Sequence, residues 1–187
     1  MKADKKRLLW VILFLLLFGS GIAGGYFFVS TKFFASKAEP HIPQSVLQPD
    51  NDVFVRIFYP SDSALVMEER RVRRATEITM AEEIVAEFLK GPLNRAASVI
   101  PSGAKVLGLY QGNDGILYVD LSDEFRRNFQ GDALAEFLLL KGLYESIISN
   151  VKGVNDVKVI IEGKEIESIG GHLFALYPLK NTVAEAK

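Results

Sequence analysis

The pattern of apolar positions changes character once along the chain. Residues 8–29 carry no charged side chain, and about 20 apolar residues is what an α-helix needs to cross the hydrocarbon layer. Trp10 and Tyr26 stand near the two ends of this run, where amphipathic rings suit the membrane interfaces. Beyond it the pattern breaks into short periodic segments. Val53, Val55, Ile57 and Tyr59 alternate with Phe54, Arg56 and Phe58 until Pro60, which predicts a strand. Ser61-Asp62-Ser63 supplies turn chemistry, and residues 65–72 return as a second, more polar strand.

Thr79 and Glu82 form a capping box ahead of Ile84, Val85, Phe88 and Leu89, and Gly91-Pro92 ends that helix. Residues 105–110 and 116–121 read as a hairpin around Gly112-Asn113-Asp114-Gly115. From 132 to 150 Leu134, Phe137, Leu138, Tyr144, Ile147 and Ile148 follow helical spacing, and Leu139, Leu140 and Leu143 broaden the stripe. Such a helix is heavily buried or faces a partner. Gly142 costs about 1 kcal/mol relative to Ala inside a helix, and close approach of another backbone would explain it. Val157, Val159 and Ile161 alternate as a strand that turns at Glu162-Gly163-Lys164, and residues 173–177 are expected as a last strand.

This order predicts an α+β domain: a small mixed β-sheet with two main helices packed on one face, preceded by one transmembrane helix. The expected divisions are a cytoplasmic basic tip at 1–7, the membrane helix at 8–29, a linker at 30–52, the folded domain at 53–180 and a tail at 181–187. Pro40, Pro43 and Pro49 mark the linker, which also carries His41.

Charge sets the orientation. Lys2, Lys5, Lys6 and Arg7 stand against Asp4 before the run, and only Lys32 follows it closely. The positive-inside rule therefore leaves the N-terminus in the cytoplasm and exports the domain. A cleaved signal peptide shares the basic start but has a shorter apolar core and a small-x-small cleavage site, which residues 34–38 do not supply. After Lys32 there are 17 Lys plus Arg against 22 Asp plus Glu, so the exported part carries no basic footprint for nucleic acid. Cysteine is absent, which excludes disulfides, thiolate metal sites, a cysteine nucleophile and a lipid-modified cysteine.

Candidate chemistry is sparse, and no cofactor, metal or catalytic set is expected. Asp120, Ser122, Asp123 and Glu124 cluster after a strand, where Ser122 would cap a short helix whose first turn favours acids. His172 follows Gly170-Gly171 with no nucleophile elbow or second histidine beside it, so it reads as a loop residue. The densest charge is Arg70, Arg71, Arg73 and Arg74 behind Glu68-Glu69. It reads as a solvated strand edge, or as a bidentate site for carboxylates or phosphates of an envelope protein or cell-wall polymer. Strand alternation would send Arg71 and Arg73 to one face and Arg70, Val72 and Arg74 to the other. Small-x-x-x-small spacings at Ser20, Gly21, Gly24 and Gly25 leave self-association through the membrane helix open, as it is through the domain. An envelope-associated hydrolase acting on an anionic substrate is the alternative class.

Several local sequences occur in an order that resembles the GerMN domain family of sporulation and germination proteins and related bacterial surface proteins. They are Leu89-Lys90-Gly91-Pro92, Ile100-Pro101-Ser102-Gly103, Tyr118-Val119-Asp120-Leu121-Ser122 with Phe125, and Gly153-Val154 leading to Glu162-Gly163. The resemblance covers about 53–178. It implies an extracytoplasmic interaction module, similar in fold to ring-building domains of sporulation complexes, with no established catalysis. It gives Gly91, Pro92, Pro101, Gly103, Asp120, Ser122, Gly153 and Gly163 structural roles. One copy of the domain and an apolar helix in place of a lipid anchor depart from the family pattern, and family members also occur in bacteria that make no spores.

Overall fold

The computed structural model describes Trp10 and residues 52–93 and 99–183. Among these no helix is long and apolar enough to cross a membrane. The expected tip, span and linker, with His41, lie outside the described residues apart from Trp10 and the linker's last residue, Asp52.

The first two strands, β1 (Asp52–Ser61) and β2 (Ala64–Arg73), form an antiparallel ribbon that runs from Asp52 opposite Arg73 to Ser61 opposite Ala64. Helix α1 (Glu77–Lys90) follows. It begins earlier than the expected capping box, because Thr76 is the N-cap and accepts from the Thr79 amide at 3.4 Å. Thr79 is therefore a first-turn residue whose hydroxyl lies 3.0 Å from that of Thr76. Gly91 closes the helix with φ 79° and ψ 175°, its N–H donating to the Phe88 carbonyl. That backbone region is open essentially only to glycine.

Strands β3 (Val106–Gln111), β4 (Ile116–Leu121), β5 (Asp156–Ile161) and β6 (Lys164–Glu165) form a second sheet in that order. β4 and β5 pair in parallel, and the other neighbours are antiparallel. Between β4 and β5 lie a short helix α2 (Glu124–Arg127) and the long α3 (Ala133–Ile148). Asp132 caps α3 by accepting from the Ala135 amide at 2.9 Å. A short α4 (Lys180–Val183) follows, with Val183 fully buried.

The expected single mixed sheet is thus two sheets, and α3 with the residues just after it lies along the free edge of β1. The Asn150 side chain accepts from the Arg56 amide at 3.0 Å and donates to the Arg56 carbonyl at 2.8 Å. Ser146 Oγ accepts from the Phe58 amide at 2.9 Å. Ser146 of α3 and Asn150, two residues beyond its end, so replace a strand's hydrogen bonds along the edge. Gly142, one turn earlier, allows the approach: a Cβ there would sit 2.5 Å from the Phe58 carbonyl oxygen.

All of these elements except the exposed β6 share one core. Val55, Ile57 and Tyr59 from the ribbon meet Ile84 and Phe88 of α1, Leu139, Leu143 and Ile147 of α3, and Leu117, Val119, Val157 and Val159 of the second sheet. The rings of Tyr59 and Phe88 stack with centroids 5.8 Å apart. Residues 173–177 do not form the expected strand. Leu173 is instead held by a carboxylate of α3, the Ala175 amide donates to the Glu167 carbonyl, and the Leu176 carbonyl accepts from Lys158.

Candidate functional site

Alternation in β2 divides the arginines. Val72 is 4 % exposed, and Arg70 on the same face turns inward, its side chain only 14 % exposed. Arg70 Nη2 donates to Glu68 Oε2 at 2.6 Å and to the Gly91 carbonyl at 3.1 Å, while the guanidinium lies 5.4 Å from the Tyr59 ring centre. The Tyr59 hydroxyl donates to the Glu87 carbonyl. Its pKa is pushed up to about 12, chiefly by burial and against the pull of Arg70. Arg70 therefore ties β2 to the end of α1. Arg71, Arg73 and Arg74 are exposed. Arg71 lies 3.5 Å from Asp52 and 5.8 Å from the Phe54 ring centre. The Arg73 amide donates to Glu83. All three stand where the chain enters β1, since Asp52 pairs with Arg73.

The most heavily bonded side chain is Glu136, in the first turn of α3 and 0 % exposed. Its Oε1 accepts from the Ile169 and Gly170 amides at 2.9 Å and from Ser168 Oγ at 3.1 Å. Its Oε2 accepts from the His172 amide at 2.9 Å and the Leu173 amide at 3.3 Å, and lies 3.1 Å from His172 Nδ1. Desolvation pushes the pKa up, but the amide and hydroxyl donors outweigh it and hold the carboxyl below the ordinary range. Serine, histidine and carboxylate thus meet in one place, yet in an order that cannot activate a nucleophile. A nucleophilic serine needs the histidine between itself and the acid. Here Glu136 stands between the other two, Ser168 spends its hydroxyl on Glu136 and on the Gly171 amide, and the cluster is a knot that folds the loop. His172 gains a partner that the sequence reading did not assign.

The motif residues serve backbone geometry. Gly91, Gly103, Gly153 and Gly163 take φ of 79°, 78°, 75° and 72°. Leu89-Lys90-Gly91 and the 100–103 segment, with buried Pro101, line one cleft of about 360 Å³. Pro92 follows Gly91 outside the helix. Asp120 accepts from the Gly163 amide at 3.0 Å and so fixes the β5–β6 turn to β4. Ser122 does not cap α2 as expected, since Asp123 holds the N-cap position without a side-chain bond. Ser122 instead accepts from the Lys105 amide at 3.1 Å, and its hydroxyl leads the interactions that lower the Glu124 pKa.

Glu136 and Lys158 escaped the sequence reading, although both leave a trace in it. Glu136 lies three and four residues before Leu139 and Leu140, on the apolar stripe itself, where an acid must be bonded. Lys158 interrupts the apolar run of 157–161 and is 4 % exposed, its Nζ donating to Glu165 at 3.0 Å and to the Leu176 carbonyl.

No functionally curated protein matches the chain in sequence. Several solved structures are similar, three of them as follows. One is a candidate lipoprotein from Clostridium perfringens, with a TM-score of 0.50 and 16 % identity over 68 % of this chain and 87 % of that one. The tandem GerMN domains of the sporulation protein GerM from Bacillus subtilis give a TM-score of 0.51 and 16 % identity over 70 % of this chain and 47 % of that one. The first GerMN domain of the same protein gives 0.50 and 17 % identity over 64 % of this chain and 90 % of that one. The likeness is one of fold: a single GerMN domain is nearly spanned, and the tandem pair is spanned by about half. The family described as Germane, sporulation and spore germination, matches residues 56–167, and the chain belongs to that family.

Proposed function

We propose that this chain is a membrane-anchored, extracytoplasmic module of the bacterial cell envelope that binds and assembles with a partner and catalyses no reaction. The observation that carries this reading is the wiring of Glu136, Ser168 and His172. The described residues gather hydrolase-type groups there, and the acid is spent on holding the loop. Membership in a family described by sporulation and spore germination supports a related role. The uncharged run at 8–29 with its basic flank supports an uncleaved anchor.

The partner surface is the tether end of the ribbon, where Arg71, Arg73 and Arg74 take an acidic partner. Exposed ion pairs contribute only about 0 to 1 kcal/mol to stability, whereas an arginine gripping a carboxylate across an interface contributes several-fold more to binding. Stability and binding should therefore separate by residue. Arg73→Gln with Arg74→Gln should leave melting unchanged and reduce capture of envelope partners by the intact chain in membranes. Arg70→Gln should lower melting instead. Undiminished capture by the double variant would return the arginines to a solvated edge.

A further inference from the structure

Strand edges differ in how they are closed. Along β1 the place of a neighbour is taken by Ser146 and Asn150. In the second sheet β3 is interrupted by a bulge between Val106 and Gly108, β6 has two residues, and the Val157 carbonyl of β5 accepts from the Leu179 amide. β2 has none of these guards. It is ten residues long, holds an unbroken register against β1 and contains neither proline nor lysine, and such an edge is a template for another strand.

The Arg73 amide points away from β1 and donates to Glu83 Oε2 of α1 at 2.8 Å. Outward groups recur at every second residue of an antiparallel ladder, so the N–H and C=O of Met67 and Glu69 point the same way. They bond nothing among the described residues. A groove of about 310 Å³ opens there, with Val72 and Arg73 on one side and Glu83, Ala86 and Lys90 on the other. The Glu83 oxygen stands where the carbonyl of an added strand would stand.

Side chains on this edge select what is added. Val72 is buried and Arg70 turns inward, so Met67, Glu69 and Arg73 stand on the outer face, where Met67 is 46 % exposed. The guanidinium groups of Arg73 and Arg74 form no bond among the described residues. Opposite charges facing across a ladder attract and like charges repel. A matching antiparallel strand therefore carries an acid opposite Arg73, a base opposite Glu69 and an apolar residue opposite Met67. A second copy of β2 does not match. Residues directly opposite must both point outward or both inward, so the fullest overlap of β2 with itself sets Glu68 against Glu68 or Glu69 against Glu69.

We propose that the outer edge of β2 takes an extended segment of an envelope protein by antiparallel strand addition, with that order of acid, base and apolar residue, and that Glu83 holds the end of the edge until the segment's carbonyl replaces it on the Arg73 amide. Main-chain hydrogen bonds then supply affinity, and the alternate side chains supply specificity. This rests on the reading of the arginine end as the partner surface, and gives that partner its conformation and charge order.

The test titrates the capped peptide acetyl-Glu-Val-Thr-Thr-Lys-Thr-Val-amide against the full chain in detergent, read by the backbone amide signals of residues 67–73 in NMR. Saturable shifts of these signals are expected. N-methylation of the peptide's Lys and final Val amides, which face the Glu69 and Met67 carbonyls, should weaken binding about tenfold. Arg73→Gln should weaken it about threefold with melting unchanged. Glu83→Ala should tighten it about threefold, because the edge no longer has to release a carboxylate, and Glu83→Gln, which keeps an acceptor, should stay near wild type. Absence of binding by the wild-type chain, equal binding of the N-methylated peptide, or weaker binding by Glu83→Ala would each overturn strand addition, while reduced partner capture by the arginine double variant would still uphold the arginine face. Equal binding of the peptide with its Glu and Lys exchanged would overturn the charge order and count against the arginine face as well. Shifts of the same signals with protein concentration alone would give the edge to a second copy and overturn the proposal.

Discussion

At position 136 the apolar stripe of α3 holds a carboxylate, and its complete set of donors makes it the anchor of the loop that follows β6. Because its pKa is lowered in the folded state, the stabilisation is present in full above the ordinary glutamate range and is lost as pH falls through the depressed folded value. The amides of Ile169, Gly170, His172 and Leu173 should therefore resist hydrogen exchange at neutral pH and lose that protection only in acid below the ordinary glutamate range. Glu136→Gln should expose the same amides at pH 7. One of its two acceptors becomes an NH₂ facing N–H donors, and leaving buried donors unpaired costs roughly 1–3 kcal/mol for each group. Wild-type protection in the Gln variant would mean that the loop is held by other contacts. The acid is visible in the sequence, but its partners lie 32 to 37 positions away, so periodicity flags the need for a partner without supplying it.

Elements were more legible than their assembly. The ribbon, the 106–121 hairpin, α1, α3 and β5 follow local patterning and turn chemistry, which act over a few residues. The start of α1 differs from the sequence pattern because Thr76 and Thr79 both offer a capping hydroxyl, and the backbone uses the earlier one. In the 173–177 segment Leu173, Ala175 and Tyr177 alternate like a strand, but the amides of His172 and Leu173 are taken by Glu136. The meeting of α3 with β1 tests how elements are matched. Gly142→Ala would gain about 1 kcal/mol of helix propensity in isolation. Here the methyl group would meet the Phe58 carbonyl oxygen, and overpacking costs typically about 1–3 kcal/mol. The variant should therefore melt lower than wild type. A stabilised variant would show that α3 can move away from the ribbon at little cost.

For the whole molecule the question is on which side of a membrane the domain works. The basic flank and uncharged run predict a cytoplasmic N-terminus and an exported domain. A reporter that is active only after export, fused behind Lys187, should be active. Cytoplasmic activity would overturn the topology, and release of soluble protein would replace the anchor with a cleaved signal. By itself the sequence determined what nearest neighbours and short periods encode: the apolar run, most strands and helices, the glycines at turns and the family resemblance. Only the tertiary structure decided that Ser146 and Asn150 take a strand's place at the β1 edge, that Arg70 leaves the basic cluster for the end of α1, and that a triad's residue types form a structural knot. Each of these depends on groups far apart in the chain meeting at hydrogen-bonding or van der Waals distance, and that geometry is set by packing rather than by any local pattern.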